Sequence, residues 1–373
     1  MGLDRLRGVY RRRRVQPAAG EKTRLARRWF LKQQRERKGK IMSRKLFLDA
    51  VAGKPTPRPA FGPGTSIVTE ELMNLVGAEF PAAHLDAEAM TKLAIAGHTV
   101  FDFDVVMPLF SVWHESAAVG CPVEWGTKGR MPDCRGHIWE TAADIRYTKD
   151  FLKHPAAQTP LKSLAMLKKE LGEDAAVCGK VFGPWTLGYH FFGVEDWLVN
   201  ASLEPDMIKE CIEKIKNITI WFAEAQIEAG ADCLLLGDHA TRDLCGPAMY
   251  EEFLQPIHTE LAKAIDCPLI LHICGDTKDR IGYIRQTGLD CFHWDTKSGD
   301  PAEIRKLAGK DLSLMGGISN VTVLNNGTEE DVVRQAQKAV DAGINIIGPE
   351  CAVPLGVSVK NLKAITKIKA SLK

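Results

Sequence analysis

Two cysteines and a histidine stand where short apolar runs end. Residues 268–274 read Pro-Leu-Ile-Leu-His-Ile-Cys, so His272 and Cys274 close the run with one residue between them. On a strand, residues i and i+2 share a face, which points both side chains the same way and Ile273 the other. A second run, at 344–348, is followed by Pro349, Glu350 and Cys351, 77 residues beyond Cys274. One imidazole and two thiolates form a borderline-soft donor set suited to Zn²⁺, and three protein ligands leave a fourth position for substrate. The competing reading is a hydrogen-bonded core histidine beside two incidental cysteines. The intervening run ends in His293-Trp-Asp-Thr-Lys. Asp295 then has three roles open to it: a fourth, displaceable metal ligand, a cap for the next helix, or a partner for Lys297. Asp238 and His239 follow the run 233–236 and are candidates for contacts to the ligands or the substrate; for Asp238 a helix cap competes. The turn Phe182-Gly-Pro-Trp185 could bring a ligand close to the backbone.

These residues need a scaffold that gathers strand ends. The second half of the chain alternates short apolar runs with amphipathic stretches. Strands are expected at 175–182, 231–236, 268–274, 291–295, 312–318 and 344–348. Helices are expected at 205–230, 247–265, 279–287, 301–307, 329–341 and 358–372. The phrases Glu228-Ala-Gly-Ala-Asp, Gln286-Thr-Gly-Leu-Asp and Asp341-Ala-Gly-Ile-Asn recur where a glycine ends a helix before a strand. Strands apolar on both faces imply a parallel sheet covered by helices. Repetition of one such unit over roughly 250 residues favours a closed (β/α)₈ TIM barrel over an open sheet, with the active groups at the carboxyl ends of the strands. The first half is less regular. A helix is expected at 44–52 and a first strand at 60–68. Thr69 and Asp86 are expected to cap helices, the second running through Ala96. Residues 125–156 read as a long irregular insertion.

Charge is distributed unevenly. Residues 1–45 hold 17 Lys/Arg and 3 Asp/Glu, a balance of +14, so the remainder of this chain of net charge +2 carries −12. Residues 1–41 read as a basic leader without enough apolar side chains for a core, and residues 42–373 as the domain. A nucleic-acid or anionic-lipid arm is one reading of the leader. An extension without catalytic consequence, with Met42 as an alternative start, is the reading preferred here, and no nucleic-acid partner is expected. The leader lacks the apolar centre of a secretory signal, and no run reaches the length of a membrane span. Ten cysteines, including Cys178, Cys211, Cys233 and Cys267 inside apolar or helical runs, fit free thiols in a reducing, cytoplasmic compartment.

The His272-Ile-Cys274 and Gly-Pro-Glu-Cys351 pair resembles the zinc signature of the methylcobamide:coenzyme M methyltransferases in the uroporphyrinogen decarboxylase superfamily. The resemblance spans residues 42–373 and takes in Leu75-Val-Gly-Ala, Glu228-Ala-Gly-Ala-Asp and Val359-Lys-Asn-Leu-Lys-Ala. It implies a barrel whose zinc is held by His272, Cys274 and Cys351. It implies transfer of a methyl group from a methylated corrinoid, presented by a partner corrinoid protein, to a thiol such as coenzyme M. The family's acidic ligand, a Glu, falls on the shorter Asp295. Three alternatives are weighed against this. A uroporphyrinogen-type decarboxylase shares the barrel but needs no zinc, and its Arg-rich N-terminal signature is absent. A non-enzymatic corrinoid-binding or assembly protein requires a closed four-ligand site. A cobalamin-independent methionine-synthase-like enzyme uses two barrels, more than this chain holds.

Overall fold

The computed structural model describes residues 42–372, and the expectation of a loosely structured leader at 1–41 lies outside the described residues. Eight parallel strands form one sheet: β1 Ala60–Phe61, β2 Val105–Val106, β3 Ala176–Phe182, β4 Cys233–Gly237, β5 Leu269–Ile273, β6 Cys291–Trp294, β7 Ser313–Ile318 and β8 Ile346–Pro349. The ladder runs β1-β8-β7-β6-β5-β4-β3-β2, with every pairing parallel. The two edge strands meet at Asp104. Its N–H donates to the Phe61 carbonyl at 2.7 Å, and its carboxylate accepts the Phe61 N–H at 2.8 Å. Arg58 binds the same carboxylate through two bonds of 2.9 Å. One buried side chain thus closes the seam where the strands are too short to ladder.

The alternation of side chains divides the interior in two. Val177, Val181, Leu234, Leu236, Leu271, Phe292, Leu314 and Ile347 face outward into the main core. There they meet helices such as Pro205–Glu228, whose buried positions Ile208, Cys211, Ile212, Ile215 and Phe222 recur with helical spacing. The alternate residues point into the lumen. Ala60, Val105, Ala176, Cys178, Cys233, Leu235, Ile270, Cys291, Met315 and Ile346 form a separate cluster with Leu46, Phe47, Ala50 and Val51. Those last four belong to the helix Ser43–Val51, which therefore plugs the lumen beneath the amino ends of the strands. The Ser313 hydroxyl ties it there through the Ala50 carbonyl at 2.7 Å.

Several local expectations change. The first strand is two residues long, not nine, because the chain turns at Gly62-Pro-Gly64. β2 was not anticipated: two valines between Asp104 and Pro108 are too few to show a period. The helix expected at 247–265 contains a wide turn at Tyr250–Leu254. That expected at 279–287 narrows to Lys278–Arg280 and Ile281–Ile284. The last helix divides into Val359–Ala364 and Lys367–Ser371, the Thr366 hydroxyl donating to the Phe101 carbonyl at 2.8 Å. Both caps form, Thr69 accepting from Leu72 and Asp86 from Ala89, although the second helix ends at Ala94. The irregular stretch holds one short hairpin, Val123–Glu124 with Asp133–Cys134, before the helix Pro155–Leu171 begins.

Candidate metal centre and active site

β5 and β8 deliver the three predicted donors to one point at the carboxyl mouth. His272 Nε2 lies 3.0 Å from Cys274 Sγ and 3.4 Å from Cys351 Sγ, and the two sulfurs are 3.0 Å apart. All the donor atoms fall within 4.8 Å, and among the described residues this is the one group of His, Cys, Asp or Glu that meets that condition. Ile273 turns away and is fully buried in the outer core.

The orientation of His272 has a clear cause. Its Nδ1 is 3.2 Å from the His293 carbonyl, an acceptor, so the proton sits on Nδ1 and Nε2 is directed at both sulfurs. The rings of His272 and His293 stack at 4.3 Å and 28°. His293 Nε2 donates to the Pro349 carbonyl at 2.8 Å, joining β6 to β8 two residues before Cys351. Gly64 makes room for this ring: a Cβ there would sit 2.1 Å from His293 Nδ1. Gly348 likewise permits β8 to pass β1, since its Cβ would sit 2.0 Å from the Gly62 carbonyl.

The two thiols share charge unequally. Cys351 ionises well below the usual thiol range because the Cys274 thiol hydrogen-bonds to it; burial opposes this, and His272 adds to the lowering. With that charge in place Cys274 is pushed well up, by the same hydrogen bond and then by burial. Burial pulls His272 down, but the neighbouring Cys351 outweighs it and leaves the imidazole raised.

The remaining predicted residues divide. Asp295 lies outside the three-donor group. One carboxylate oxygen accepts the Gly275 N–H at 2.9 Å and the other the Lys297 N–H at 2.9 Å, so it caps the turn Thr296–Ser298 and ties down the loop after Cys274. Burial lowers the pKa of His239, and the charges of His272 and Cys351 reach it. Asp238 is fully buried. It accepts from the Thr186 N–H at 2.7 Å and hydroxyl at 2.9 Å. It also meets His258 Nε2 at 3.0 Å. The Gly183-Pro184 turn, expected to admit a ligand, admits this carboxylate, since a Cβ on Gly183 would lie 2.1 Å from it.

Sequence reading assigned no role to His293, although it shares a strand face with Asp295. Glu350 was passed over too. It accepts from the Asn320 N–H at 2.7 Å, the Ser319 hydroxyl at 3.2 Å and the Thr296 N–H at 3.1 Å, which binds the ends of β6, β7 and β8 together beside Cys351.

Comparison with known proteins agrees with this arrangement. The chain matches the family described as Uroporphyrinogen decarboxylase (URO-D) over residues 42–371. It is 30% identical over 301 residues to "Methylated-thiol--coenzyme M methyltransferase" of Methanosarcina mazei, covering 80% of this chain and 81% of that one. It is 30% identical to "Methylcobamide:CoM methyltransferase MtbA" of the same organism, covering 81% and 90%. A solved "methyltransferase from Methanosarcina mazei" superimposes with a TM-score of 0.86 at 24% identity, over 89% of this chain and 99% of that one, which shows the shared barrel. This chain belongs to the uroporphyrinogen decarboxylase family, and the relatives just named are coenzyme M methyltransferases.

Proposed function

We propose that the protein is a zinc-dependent methyltransferase that moves a methyl group from a methylated corrinoid, presented by a partner corrinoid protein, to a thiol acceptor of the coenzyme M type. The observation that carries this reading is the convergence of His272 Nε2, Cys274 Sγ and Cys351 Sγ, with His272 already holding its proton on the far nitrogen. An imidazole nitrogen and two thiol sulfurs suit zinc, and three ligands leave a position open. A bound zinc ion supplies acidity that deprotonates an incoming thiol near neutral pH while leaving its sulfur nucleophilic. In the reaction the acceptor's sulfur forms a bond to the methyl carbon, the cobalt–carbon bond breaks, and its electron pair stays on cobalt(I).

The chain's own residues set this up. Two thiolate ligands keep the site electron-rich. His293 and Pro349 fix the imidazole, and Glu350 fixes the segment that carries Cys351. Asp295 is the candidate fourth donor; to hold the ion it would give up the bond it accepts from Gly275 or Lys297. His239 is the candidate for acceptor contact at the mouth, and Asp238 for holding the wall behind it. A tetrapyrrole decarboxylase has no use for a His–Cys–Cys group. Among the described residues no helix is long and apolar enough to cross a membrane. Two free thiols 3.0 Å apart call for a reducing compartment, which supports a cytoplasmic site of action.

The test is methyl transfer from methylcobalamin to a panel of thiols and tetrahydrofolate, with metal analysis of the same preparation. About one zinc per chain, thiol methylation and loss of both on chelation are expected. Protein without zinc, indifferent to chelators, or inert toward every thiol overturns the reading.

A further inference from the structure

The helix that begins at Pro247 is interrupted by the wide turn Tyr250–Leu254, where the Gln255 N–H donates to the Tyr250 carbonyl five residues back. Pro256 gives the cause: it has no N–H, and in a regular helix its ring would strike the carbonyl four residues earlier. The widened turn has a consequence for two polar side chains. Tyr250 and His258 are eight positions apart, about 80° around a regular α-helix; one extra residue in a turn brings them to within about 20°. Both are fully buried, and Tyr250 Oη lies 2.9 Å from His258 Nδ1.

From this pair a directional chain of hydrogen bonds runs to the mouth. His258 Nε2 lies 3.0 Å from one oxygen of the Asp238 carboxylate. A carboxylate only accepts, so Nε2 carries the proton, and in the neutral ring Nδ1 accepts from the tyrosine hydroxyl. The other Asp238 oxygen accepts the Thr186 N–H and hydroxyl at 2.7 and 2.9 Å. The Thr186 oxygen in turn accepts the His239 N–H at 2.7 Å. The chain ends beside the metal group: the Asp238 N–H donates to the carbonyl of His272 at 3.0 Å, and Gly237 pairs with His272 across the sheet. Arg280 binds the next carbonyl, that of Ala240, with its guanidinium 5.6 Å from the Tyr250 ring centre. Apolar side chains would hold this helix to the barrel as well, but without direction. A satisfied buried network fixes one arrangement.

We propose that Tyr250 and His258 are positioning residues for methyl transfer: through Asp238 and Thr186 they hold residues 238 and 239, at the end of β4, against His272 at the end of β5. For its effect on rate the inference rests on the thiol-methylating function proposed above. Neither residue needs to touch substrate. The tyrosine hydroxyl keeps the His258 proton on Nε2, the only tautomer of the neutral ring that can donate to Asp238.

The full-length zinc-loaded protein is compared with Tyr250→Phe, His258→Gln and His258→Leu. In the parent, ¹⁵N NMR of labelled histidine is expected to show His258 protonated on Nε2 and slow to exchange. The signal is assigned by its loss in His258→Gln, and its exchange should quicken in Tyr250→Phe. Zinc affinity, read by competition with a chelator, is expected to fall about 10-fold in His258→Leu. In methyl transfer from methylcobalamin to a thiol, kcat per folded molecule is expected to fall about 10-fold in Tyr250→Phe and about 100-fold in His258→Leu, with KM little changed. His258→Gln, whose amide N–H can replace Nε2–H, should recover to within about 5-fold of the parent. Parental zinc affinity and parental kcat in both Tyr250→Phe and His258→Leu overturn the proposal and leave the methyltransferase standing. So does a His258→Gln protein as slow as His258→Leu, since packing and not the hydrogen bond would then matter. Tyr250→Phe removes a single oxygen and decides the matter alone if His258→Leu does not fold. Zinc affinity that still falls in these variants of a protein that methylates no thiol keeps the positioning role and overturns the function.

Discussion

The floor and the mouth of the barrel lumen are built from the same strands and differ in almost every other respect. At the floor the inward residues are Ala60, Val105, Cys233, Ile270 and Ile346, all fully buried and closed off from below by the helix Ser43–Val51. Asp104, the charged group at that end, is bound by Arg58 and the Phe61 N–H. One or two steps up the same strands the inward residues become Lys180, His272, His293 and then Cys274 and Asp295. His293 Nδ1 is buried without a partner, and the thiols of Cys274 and Cys351 meet one another and His272. The floor satisfies its groups and holds the ring shut. The mouth leaves groups poised for a ligand, which is affordable because the apolar end carries the stability.

The sharpest way to break this contrast is at Cys351. Cys351→Ala is expected to lower zinc affinity and methyl transfer by at least about 100-fold. The metal-free protein should unfold close to where the parent does, because the cores below are untouched. Metal content, transfer rate and denaturant midpoint measured together decide it. Full activity in the variant, or a loss of fold as large as the loss of rate, would erase the division between the two ends.

The seam is the converse. Asp104→Asn is expected to cost about 3–5 kcal/mol, because it leaves Arg58 with a buried, unbalanced charge. Transfer per folded molecule should persist. Burial acts to raise the Asp104 pKa, but Arg58 and Lys369 outweigh it and hold it below its ordinary value. A depressed carboxyl contributes stability above its unfolded pKa of about 3.9 and loses it as pH falls through the lower folded value. The parent should therefore weaken through that acid window and the variant should weaken less. Parallel acid-unfolding curves for the two would contradict this.

The smallest effect is expected at Cys233, a floor thiol whose chemistry is idle. Cys233→Ala should lose about 1 kcal/mol of packing with the transfer rate and zinc content of the parent. A rate lesion there would show that thiol identity, and not position along the strand, matters.

Much of the site was legible because the strand period is two. His272 and Cys274 share a face on any strand, and a barrel gathers strand ends, so the donors followed from spacing and fold class. The seven expected strands show themselves by apolar runs, while β2, at two residues, leaves no pattern. Lys180 was visible as a single charge inside the run 175–182, but a lysine in a strand has no meaning until its surroundings are known. Asp238 is the converse case. Its place after a strand marked it for contacts to the ligands or the substrate, and its partners, Thr186 and His258, became visible only in the structure.

By itself the sequence determined what depends on periodicity and donor chemistry: an alternating parallel barrel, a mouth at the strand ends, and a histidine with two cysteines suited to zinc. Only the tertiary structure decided what depends on distance between remote segments. It set the proton of His272 on Nδ1 through the His293 carbonyl, and it closed the barrel through Asp104. It also left Lys180 buried with no described ion pair. Hydrogen bonds and charge effects fall away within a few ångströms, so they belong to neighbours in space, and the order of residues along the chain does not record them.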